Sequence, residues 1–322
     1  MPSSPNDTSG GSGPLIAVVG IFVADATFRG SRQPRMGETL LASAFALGPG
    51  GKGSNQAVAA AKAGGRATMI TRLGDDAFAD MAERVWAEAG VEAAAVRDGA
   101  GQTGAASIFV DEATGDNAIS VAPGAGGELS VADIEAHAAT IEAADVLLVQ
   151  LEQPLAAARR ALEIARAAGT TTILNPAPAA DLPDAVIALC DFLTPNESEA
   201  ERLAGCPVTT PDEAGEAARR LLARGAGAVV VTLGAQGALL VDGTRTEKVL
   251  APKTGRVVET TGAGDAFNGA FAVGLGEGMT ATGAMRFGCL AASISVTRPG
   301  AAASSPVREE IDRAVSRGNP VS

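Results

Sequence analysis

The sequence predicts an α/β protein, with a mostly parallel β-sheet covered by helices on both faces. From residue 146 onwards, short apolar segments alternate with longer amphipathic ones, the pattern of strand–helix–strand units. Hydrophobic residues make up 46% and charged residues 19% of the sequence, as in soluble globular proteins. The 322 residues suffice for one large domain with an embellishment, or for two smaller domains.

The first predicted element is a buried strand over the apolar run Leu15–Val23. Asp25 follows at its C-terminal end, where open α/β sheets bind their ligands. An isolated Asp after a strand is also a common turn former, so both interpretations stay open. The next stretch, Phe28–Leu47, is too irregular for a helix.

A glycine-rich turn, Gly48–Gly53, leads into an Ala-rich predicted helix, Ser54–Ala63. The turn does not fit the Walker phosphate-binding pattern, because a glycine separates Lys52 from the following serine. The glycines either let the backbone contact a small polar ligand, with Lys52 and Asn55 beside it, or form a flexible turn.

The middle of the chain alternates in the same way. The predicted elements are a strand at Ala67–Arg72, a helix at Ala77–Ala89, a strand-like region at Thr103–Val121 broken by a turn at Thr114–Asn117, and a helix at Ser130–Ala144. We interpret the single tryptophan, Trp86, as a packing residue.

The second half shows the clearest strand–helix rhythm. Strands are predicted at Val146–Leu151, Thr171–Leu174, Phe192–Leu193 and Ala228–Thr232, and helices at Pro154–Ala168 and Pro211–Arg224. Polar residues collect at the predicted strand ends: Asp25, Glu152, Asn175, Asn196, Thr232 and Asp265. So many polar groups along one rim predict a ligand crevice.

The segment Val258–Ala270 predicts a turn that opens into a buried helix. Gly262, Ala263 and Gly264 have little or no side chain, so their backbone N–H groups can approach an anion at a helix N-terminus. A carboxylate there would repel phosphate, so Asp265 is either an acceptor for the proton of an attacking hydroxyl or an ordinary N-terminal cap.

Charge and cysteine content exclude several classes of partner. The net charge of −12 and pI of about 4.7 argue against binding to nucleic acid or an anionic membrane. Cys190, Cys206 and Cys289 form no close pair, which indicates reduced thiols and a cytoplasmic protein.

The single histidine, His137, argues against a zinc site. Residues 1–14 lack the pattern of a secretion signal and are predicted to be a disordered tail.

Six short motifs, in order, resemble those of the ribokinase-like carbohydrate kinase family (PfkB type). The two most specific are Gly-Gly-Lys-Gly-Ser-Asn-Gln at Gly50–Gln56 and Thr-Thr-Gly-Ala-Gly-Asp-Ala-Phe at Thr260–Phe267. The others are Gln150–Glu152, Asn175–Ala179, Thr194–Glu197 and Thr232–Gly237. The similarity extends from about Leu15 to Val315.

This resemblance implies a Rossmann-like core with a small β-sheet lid over the sugar site. The kinase domain would span residues 15–316, with lid strands from about 22–45 and 103–121, and residues 317–322 would form a C-terminal tail. The family also implies a homodimer formed through the lid.

The family's site residues can be placed on this sequence. The resemblance implies Asp265 as catalytic base, with Gly262, Ala263 and Gly264 as the anion hole. Sugar-binding positions would be Asp25, Gly51, Lys52, Gly53, Asn55 and Glu152. ATP would contact Asn196, Thr232, Leu233, Gly234, Ala235, Gln236, Gly237, Gly264 and Cys289, with Glu199 near Mg²⁺. A K⁺ ion would lie among Glu259, Thr261, Ser295, Arg298, Gly300 and Ser304.

Three positions depart from the family's usual pattern. Val23 replaces an Asn that lies two residues before the sugar-binding Asp25, so one sugar hydrogen bond is missing. Glu259 replaces an Asp of the cation loop, and Cys289 replaces a His near adenine. These differences affect the identity of the sugar and the response to K⁺ more than the kinase activity itself.

The resemblance predicts an ATP-dependent sugar kinase, with phosphorylation of D-ribose at O5 as the first hypothesis. One alternative is a kinase for another sugar or a nucleoside, although a nucleoside site would favour aromatic stacking and only 3% of the residues are aromatic. The alternative from another class is a non-catalytic sugar-binding regulator, because a fold does not determine function. A regulator would be expected to have lost the base or the anion hole, and both motifs are intact here.

Overall fold

The computed structural model describes residues 13–99 and 101–316. The predicted tail 1–14 lies outside these ranges except for its last two residues, and the predicted tail 317–322 lies outside them entirely. In chain order the strands are β1 (Leu15–Val19), β2 (Val23–Gly30), β3 (Ala44–Gly50), β4 (Arg66–Gly74), β5 (Glu92–Asp98), β6 (Thr103–Asp111), β7 (Asn117–Gly124), β8 (Val146–Val149), β9 (Thr171–Leu174), β10 (Phe192–Leu193), β11 (Ala228–Thr232), β12 (Ala238–Asp242) and β13 (Thr246–Val249).

The helices lie mainly in the crossovers between these strands. In chain order they are α1 (Lys52–Lys62), α2 (Ala77–Ala89), α3 (Val131–Ala136), α4 (Ala138–Glu142), α5 (Leu155–Ala168), α6 (Asp184–Ile187), α7 (Glu197–Ala204), α8 (Pro211–Ala223), α9 (Ala263–Gly276), α10 (Ala281–Ser295) and α11 (Arg308–Ser316). Over the described ranges, no helix combines the length and apolar character needed to cross a membrane.

Within the described residues, nine strands form the main sheet in the order β13-β12-β11-β10-β9-β8-β1-β4-β5. Neighbours from β11 to β5 pair in parallel, while β12 and β13 add an antiparallel edge. Because side chains alternate along a strand, Ile16 and Val18 of β1 enter one core, and Ala17 and Val19 enter the other. Helices α1, α2, α9 and α10 cover the first core and α5 and α8 the second, so the predicted fold class is confirmed.

A separate small sheet lies beside the main one. Its described strands follow the order β3-β2-β6-β7, with β2 and β6 parallel and the outer pairs antiparallel. Phe28 and Phe45 are opposite each other on one face, with ring centroids 5.0 Å apart. Asp25 points to the other face, because it lies an odd number of residues from Phe28 along β2.

The prediction of one continuous strand over Leu15–Val23 was wrong. The chain leaves the main sheet after Val19 and starts β2 at Val23. Close packing causes the break: a Cβ on Gly20 would lie 2.3 Å from Gln150 Oε1 and 2.8 Å from Gly53 Cα. Asp25 is therefore in the small sheet, and not at the carboxyl end of a main-sheet strand.

Two other local predictions can be compared with the structure. The helix predicted at Ser130–Ala144 is divided into α3 and α4, with His137 at the junction. Trp86 is fully buried and donates a hydrogen bond from Nε1 to Ser54 Oγ at 2.9 Å. Its predicted packing role is confirmed.

Candidate active site

Asp265 lies in the first turn of α9, so the prediction of a turn opening into a helix is confirmed. Gly262 is the N-cap residue and has a left-handed φ of 78°. A Cβ at Gly262 would lie 2.7 Å from Ala301 Cα, so only glycine fits. The N–H of Ala263 donates to Thr260 O at 3.2 Å, which closes the turn in front of the helix.

Two amides of α1 hold the Asp265 carboxylate. Asn55 Nδ2 donates to Oδ2 and Gln56 Nε2 donates to Oδ1, each at 3.0 Å. The alternative that Asp265 is an ordinary N-cap is wrong, because Gly262 occupies that position and no side chain caps the helix. A carboxylate with both oxygens held is fixed in orientation, as a general base requires.

The same network connects α1 to the ends of three main-sheet strands. Gln56 also donates to Asn175 Oδ1 at 3.0 Å and accepts from Gln150 Nε2 at 2.6 Å. Asn175 Nδ2 in turn donates to Thr194 O at 2.9 Å. Gln56 belongs to the motif Gly50–Gln56 but was assigned no role from sequence, although a polar residue within an Ala-rich helix is a usable signal.

Carboxylates and one ammonium group share this region. The backbone N–H of Lys52 donates to Glu152 Oε2 at 2.7 Å. Burial raises the pKa of Glu152 to about 7, although Lys52 partly opposes the rise. Burial, and then repulsion from Asp265, raises the pKa of Asp25 to about 6. These groups would accept protons at a higher pH than exposed carboxylates do.

Asp265 and Lys52 influence each other strongly. Burial raises the pKa of Asp265, while Lys52 and the two amides oppose that rise. Burial alone would lower the pKa of Lys52, but Asp265, Glu152 and Glu199 raise it above its ordinary value. Lys52 is therefore charged at neutral pH and is surrounded by carboxylates.

Gly51, the N-cap residue of α1, and Gly53, in its first turn, allow close backbone packing. Gly51 has a φ of 87°, and a Cβ there would lie 2.5 Å from Ile21 O. A Cβ on Gly53 would lie 2.7 Å from Gly20 Cα. The flexible-turn alternative is therefore wrong for these two positions, since each glycine allows a fixed contact that brings α1 against the connection between β1 and β2.

A polar cavity of about 170 Å³ opens in front of Asp265. Among the site residues predicted from sequence, it brings together Lys52, Asn196, Glu199, Thr232, Gly262, Gly264 and Asp265. Asn175, which the sequence placed in the predicted ligand crevice, also lines it, as do Ala177, Thr194 and Asn268, which were assigned no catalytic or binding role from sequence. Asp25, Asn55 and Glu152 do not line this cavity. Asn55 and Glu152 instead contact residues that do: Asn55 donates to Asp265, and Glu152 accepts from the Lys52 N–H.

Asn196 and Glu199 form a capping box at the start of α7. Asn196 Oδ1 accepts from the Glu199 N–H, and Glu199 Oε2 accepts from the Asn196 N–H, each at 2.9 Å. Burial raises the pKa of Glu199, and the Asn196 N–H and Lys52 oppose the rise. Both side chains face the cavity, and amide and carboxylate oxygens fit Mg²⁺. No cluster of three or more metal-binding side chains occurs in residues 13–99 and 101–316, so Mg²⁺ would need further ligands from substrate or water.

The predicted nucleotide loop Thr232–Gly237 follows β11. Thr232 lines the cavity, Leu233 is buried in the core, and Gly234–Gln236 is exposed. Gly237 has a φ of 93°, and a Cβ there would lie 1.9 Å from Val249 O. Cys289 lies on α10 in the hydrophobic core and does not line the cavity; burial raises its pKa to about 12.

Five of the six predicted K⁺ positions take part in hydrogen bonds, which form two separate groups. Glu259 accepts from the Gly300 N–H at 3.0 Å. The Arg298 N–H donates to Ser295 O at 3.2 Å, and Arg298 Nε donates to Ser304 O at 2.8 Å. The sixth, Thr261, precedes Gly262, which contacts Ala301. The available carboxylate, hydroxyl and carbonyl oxygens fit the chemistry of a hard cation.

Comparison with known proteins identifies the family. The profile of the pfkB family carbohydrate kinases matches residues 14–308. The chain belongs to this family. The resemblance inferred from six motifs is thereby confirmed, and the chain is a sugar phosphotransferase by family.

Individual pfkB relatives cover nearly the whole chain. The deoxyribokinase of Salmonella typhi is 39% identical over 304 residues, covering 94% of this chain and 98% of the relative. The ribokinase of Haemophilus influenzae is 37% identical over 296 residues, covering 92% and 96%. The structure of Arabidopsis thaliana ribokinase complexed with ribose and ATP superposes with a TM-score of 0.84 at 30% identity, covering 94% and 98%.

Proposed function

We propose that the protein transfers the γ-phosphoryl group of ATP to O5 of D-ribose and forms ribose 5-phosphate. The observation that carries the proposal is the buried Asp265 carboxylate, held by Asn55 and Gln56 at a helix N-terminus that borders a polar cavity. The relatives named ribokinase, and the related structure that contains ribose and ATP, support the choice of sugar and nucleotide.

Asp265 takes the proton of the sugar hydroxyl while the oxygen attacks the γ-phosphorus. Burial raises the pKa of Asp265, which makes it a stronger base, and the two amides keep its oxygens in place. The phosphoryl group passes to O5, the O–P bond to ADP breaks, and the proton stays on Asp265 until solvent removes it.

The developing negative charge is stabilised by groups that are already in position. The N-terminal turn of α9, from Gly262 to Gly264, places the positive end of the helix dipole at the cavity. Lys52 adds a positive charge at the same cavity. Phosphoryl transfer depends mainly on such positioning and electrostatics.

The nucleotide occupies the part of the cavity lined by Asn196, Glu199 and Thr232. These residues, with the rest of the loop to Gly237, would hold ATP and its Mg²⁺; the ion would neutralise phosphate charge. K⁺ would be held beside the anion hole, between the loop before α9 that contains Glu259 and the loop after α10 that contains Gly300, which a hydrogen bond between these two residues joins. Thermal shift measurements with Mg²⁺ or K⁺, each against an equal ionic strength of Na⁺, test both ions without relying on activity.

The sugar is held by acceptors near Lys52. Asp25 and Glu152 accept hydrogen bonds from sugar hydroxyls, and the backbone at Gly51–Gly53 lies beside them. Asn55 Oδ1 supports this assignment, because it is buried and has no hydrogen-bond partner among the described residues. A buried unpaired acceptor next to the base is available for a ligand hydroxyl.

A specific observation favours a second substrate, 2-deoxy-D-ribose. Val23 is 3% exposed and lies on the same face of β2 as Asp25, packed against Ile21 and Ala106. An apolar side chain near the sugar tolerates a missing hydroxyl better than an amide does. The relative named deoxyribokinase is consistent with this choice.

A sugar panel with ATP tests the function directly. Ribose, 2-deoxyribose, hexoses and nucleosides are compared by kcat/KM, and the product is analysed for the phosphorylated oxygen. Preference for a pentose with transfer to O5 supports the proposal. Preference for a hexose or a nucleoside would contradict it, and sugar binding without turnover would support the non-catalytic alternative.

We propose that residues 15–316 form the kinase domain of a cytoplasmic enzyme, with the small sheet as a lid over the sugar. A homodimer through this lid would cover its outer face, where Phe28, Phe45 and Leu47 are 41%, 60% and 44% exposed. Scattered free cysteines among the described residues are consistent with a reducing compartment. Sedimentation of the wild type and Phe45→Lys tests the dimer; an unchanged dimer in the variant would contradict this interface.

A further inference from the structure

Lys62, the last residue of α1, makes an unusual set of contacts. Its Nζ donates to the carbonyl oxygens of Ala302, Ala303 and Ser305 at 3.0, 3.2 and 3.3 Å. A lysine ammonium has three N–H donors, so all three are used on one short stretch of backbone. Nothing in the proposed reaction uses this residue.

The segment held by Lys62 lies against the anion hole. A Cβ on Gly262 would lie 2.7 Å from the Cα and 2.8 Å from the Cβ of Ala301, so Ala301 directly supports the Gly262 turn. Ala301 immediately precedes the carbonyls that Lys62 holds. The position of the Gly262 turn therefore depends on the position of residues 301–305.

Helix α1 connects this contact to the base. Asn55 and Gln56, two turns before Lys62, hold the Asp265 carboxylate at 3.0 Å. The first half of α1 therefore positions the proton acceptor, Asp265. Its last residue, Lys62, positions the segment that packs against the Gly262 turn. A rigid helix can keep both groups at a constant separation.

We infer that Lys62 is a positioning residue for phosphoryl transfer: its ammonium group acts as a built-in monovalent cation that binds the carbonyls of Ala302, Ala303 and Ser305 and fixes the Gly262 turn. This inference rests on the proposed function. Removal of the ammonium should move the anion hole relative to Asp265, which affects the transition state more than the bound sugar.

The inference is tested by removing Lys62 and supplying ammonium from solution. Lys62→Met should lower kcat at least about tenfold, with a smaller change in the KM for the sugar, because the lost positioning acts in the transition state. Ammonium chloride should restore part of kcat and raise the Tm of the variant. Sodium chloride or tetramethylammonium chloride at the same ionic strength, about 0.1 M, should do neither, since screening is then equal.

Wild type and Arg159→Met are the controls. Arg159 forms an exposed ion pair with Glu163 on α5, so its loss removes one positive charge away from the site. Neither control should gain Tm or kcat from ammonium beyond the effect of sodium, with K⁺ held saturating in every sample. If Lys62→Met does not fold, Lys62→Gln, which is also neutral, takes its place with the same expected results.

Three results would overturn the inference. These are an unchanged kcat in the Lys62 variant, a loss of kcat that ammonium does not reverse, and an equal ammonium response in the controls. The Tm measurement needs no substrate. If the wild type phosphorylates no pentose, the proposed function fails, while the ammonium-dependent Tm of the variant still tests the cation contact.

Discussion

Gln56 Nε2 on α1 and Asp265 Oδ1 on α9 lie 3.0 Å apart, although 209 residues separate them in sequence. Gln56 also donates to Asn175 and accepts from Gln150, so its side chain has one fixed orientation. Asp265 cannot rotate without breaking this bond and the bond from Asn55. The base is therefore positioned before any ligand binds, and its orientation costs nothing during the reaction.

Replacement of this base tests the mechanism. Asp265→Asn should lower kcat by about 10²–10⁴-fold, the usual contribution of a general base. The KM for the sugar should change much less, because Asp265 acts on the proton in the transition state. The measurement is steady-state kinetics with sugar binding by calorimetry, and Asp212→Asn, in the first turn of α8, is the control. Near-wild-type turnover in Asp265→Asn would contradict the assigned role.

Gly264 tests the anion hole without straining the fold. It lies in the first turn of α9, and a Cβ there would meet no atom within 4 Å, so a methyl group would project into the open cavity. Gly264→Ala should leave the fold intact or stabilise it by up to about 1 kcal/mol, since Ala is the better helix former. Its kcat should fall at least about tenfold, as expected when transition-state donors are obstructed.

Gly215→Ala is the matched control for this substitution. Gly215 lies within α8, where a Cβ would make ordinary contacts of 3.6 Å with Arg219 and Leu239. It should gain similar stability and keep wild-type kinetics. Equal kinetics in the two alanine variants, measured beside their Tm, would mean that Gly264 does not border the reacting phosphoryl group.

The raised pKa of Glu152 predicts that the free energy of unfolding depends on pH. Its folded pKa is raised from 4.5 to about 7, mainly by burial, so the folded state binds the proton more tightly than the unfolded state. The contribution of neutral, protonated Glu152 to the free energy of unfolding is fully present below pH 4.5. It is lost as the pH rises through about 7, where Glu152 ionises in the folded state. Glu152→Gln stays neutral and can still accept from the Lys52 N–H, so it should be more stable at pH 8 by about 1–3 kcal/mol.

The same change should weaken sugar binding. Loss of a charged acceptor costs about 1.5–3 kcal/mol, which is about a 10–100-fold increase in sugar Kd. Denaturant unfolding at several pH values measures the first effect and calorimetry the second. Glu88→Gln, on the exposed part of α2, should change neither. A variant whose stability keeps the wild-type pH dependence would show that Glu152 is not the titrating group.

Much of this site could be predicted from sequence because its residues are close along the chain. The turn at Gly262–Gly264 and Asp265 belong to one motif, and Asn55 belongs to another. Glycine spacing and local helix signals report such segments directly. The pairing of α1 with α9 was not visible, since Gln56 reaches Asp265 only through the tertiary fold.

Apolar runs were less informative about strand boundaries. Leu15–Val23 is uniformly apolar because Ile16 enters the main sheet while Phe22 packs edge-on against Trp86, with ring centroids 6.0 Å apart. Both kinds of burial produce the same sequence pattern. The edge strand β5, Glu92–Asp98, is rich in Ala and has a single β-branched residue, Val96, so it gave little of the sequence signal that predicts a strand.

Val23 provides the last prediction, on the choice of sugar. Asp25 and Val23 share one face of β2, and Val23 is buried against Ile21 and Ala106. An Asn at position 23 would offer a hydrogen bond to a sugar hydroxyl, which Val cannot. We expect the wild type to select ribose weakly and to use 2-deoxyribose comparatively well. Val23→Asn should raise kcat/KM for ribose relative to 2-deoxyribose about tenfold, the value of one net hydrogen bond of about 1–1.5 kcal/mol.

Stability provides an independent readout for the same variant. Without sugar, the buried amide of Val23→Asn lacks a partner, which should cost about 1–3 kcal/mol and lower Tm. Ribose should restore more of that Tm than 2-deoxyribose does, because only ribose offers the additional hydroxyl. Val121→Asn is the control, because it places an amide on the same face of the small sheet at a site that is 46% exposed. It should change neither the kcat/KM ratio of the two sugars nor the difference in Tm between them. Strong ribose selection by the wild type, with no gain in Val23→Asn, would mean that other side chains close this part of the pocket.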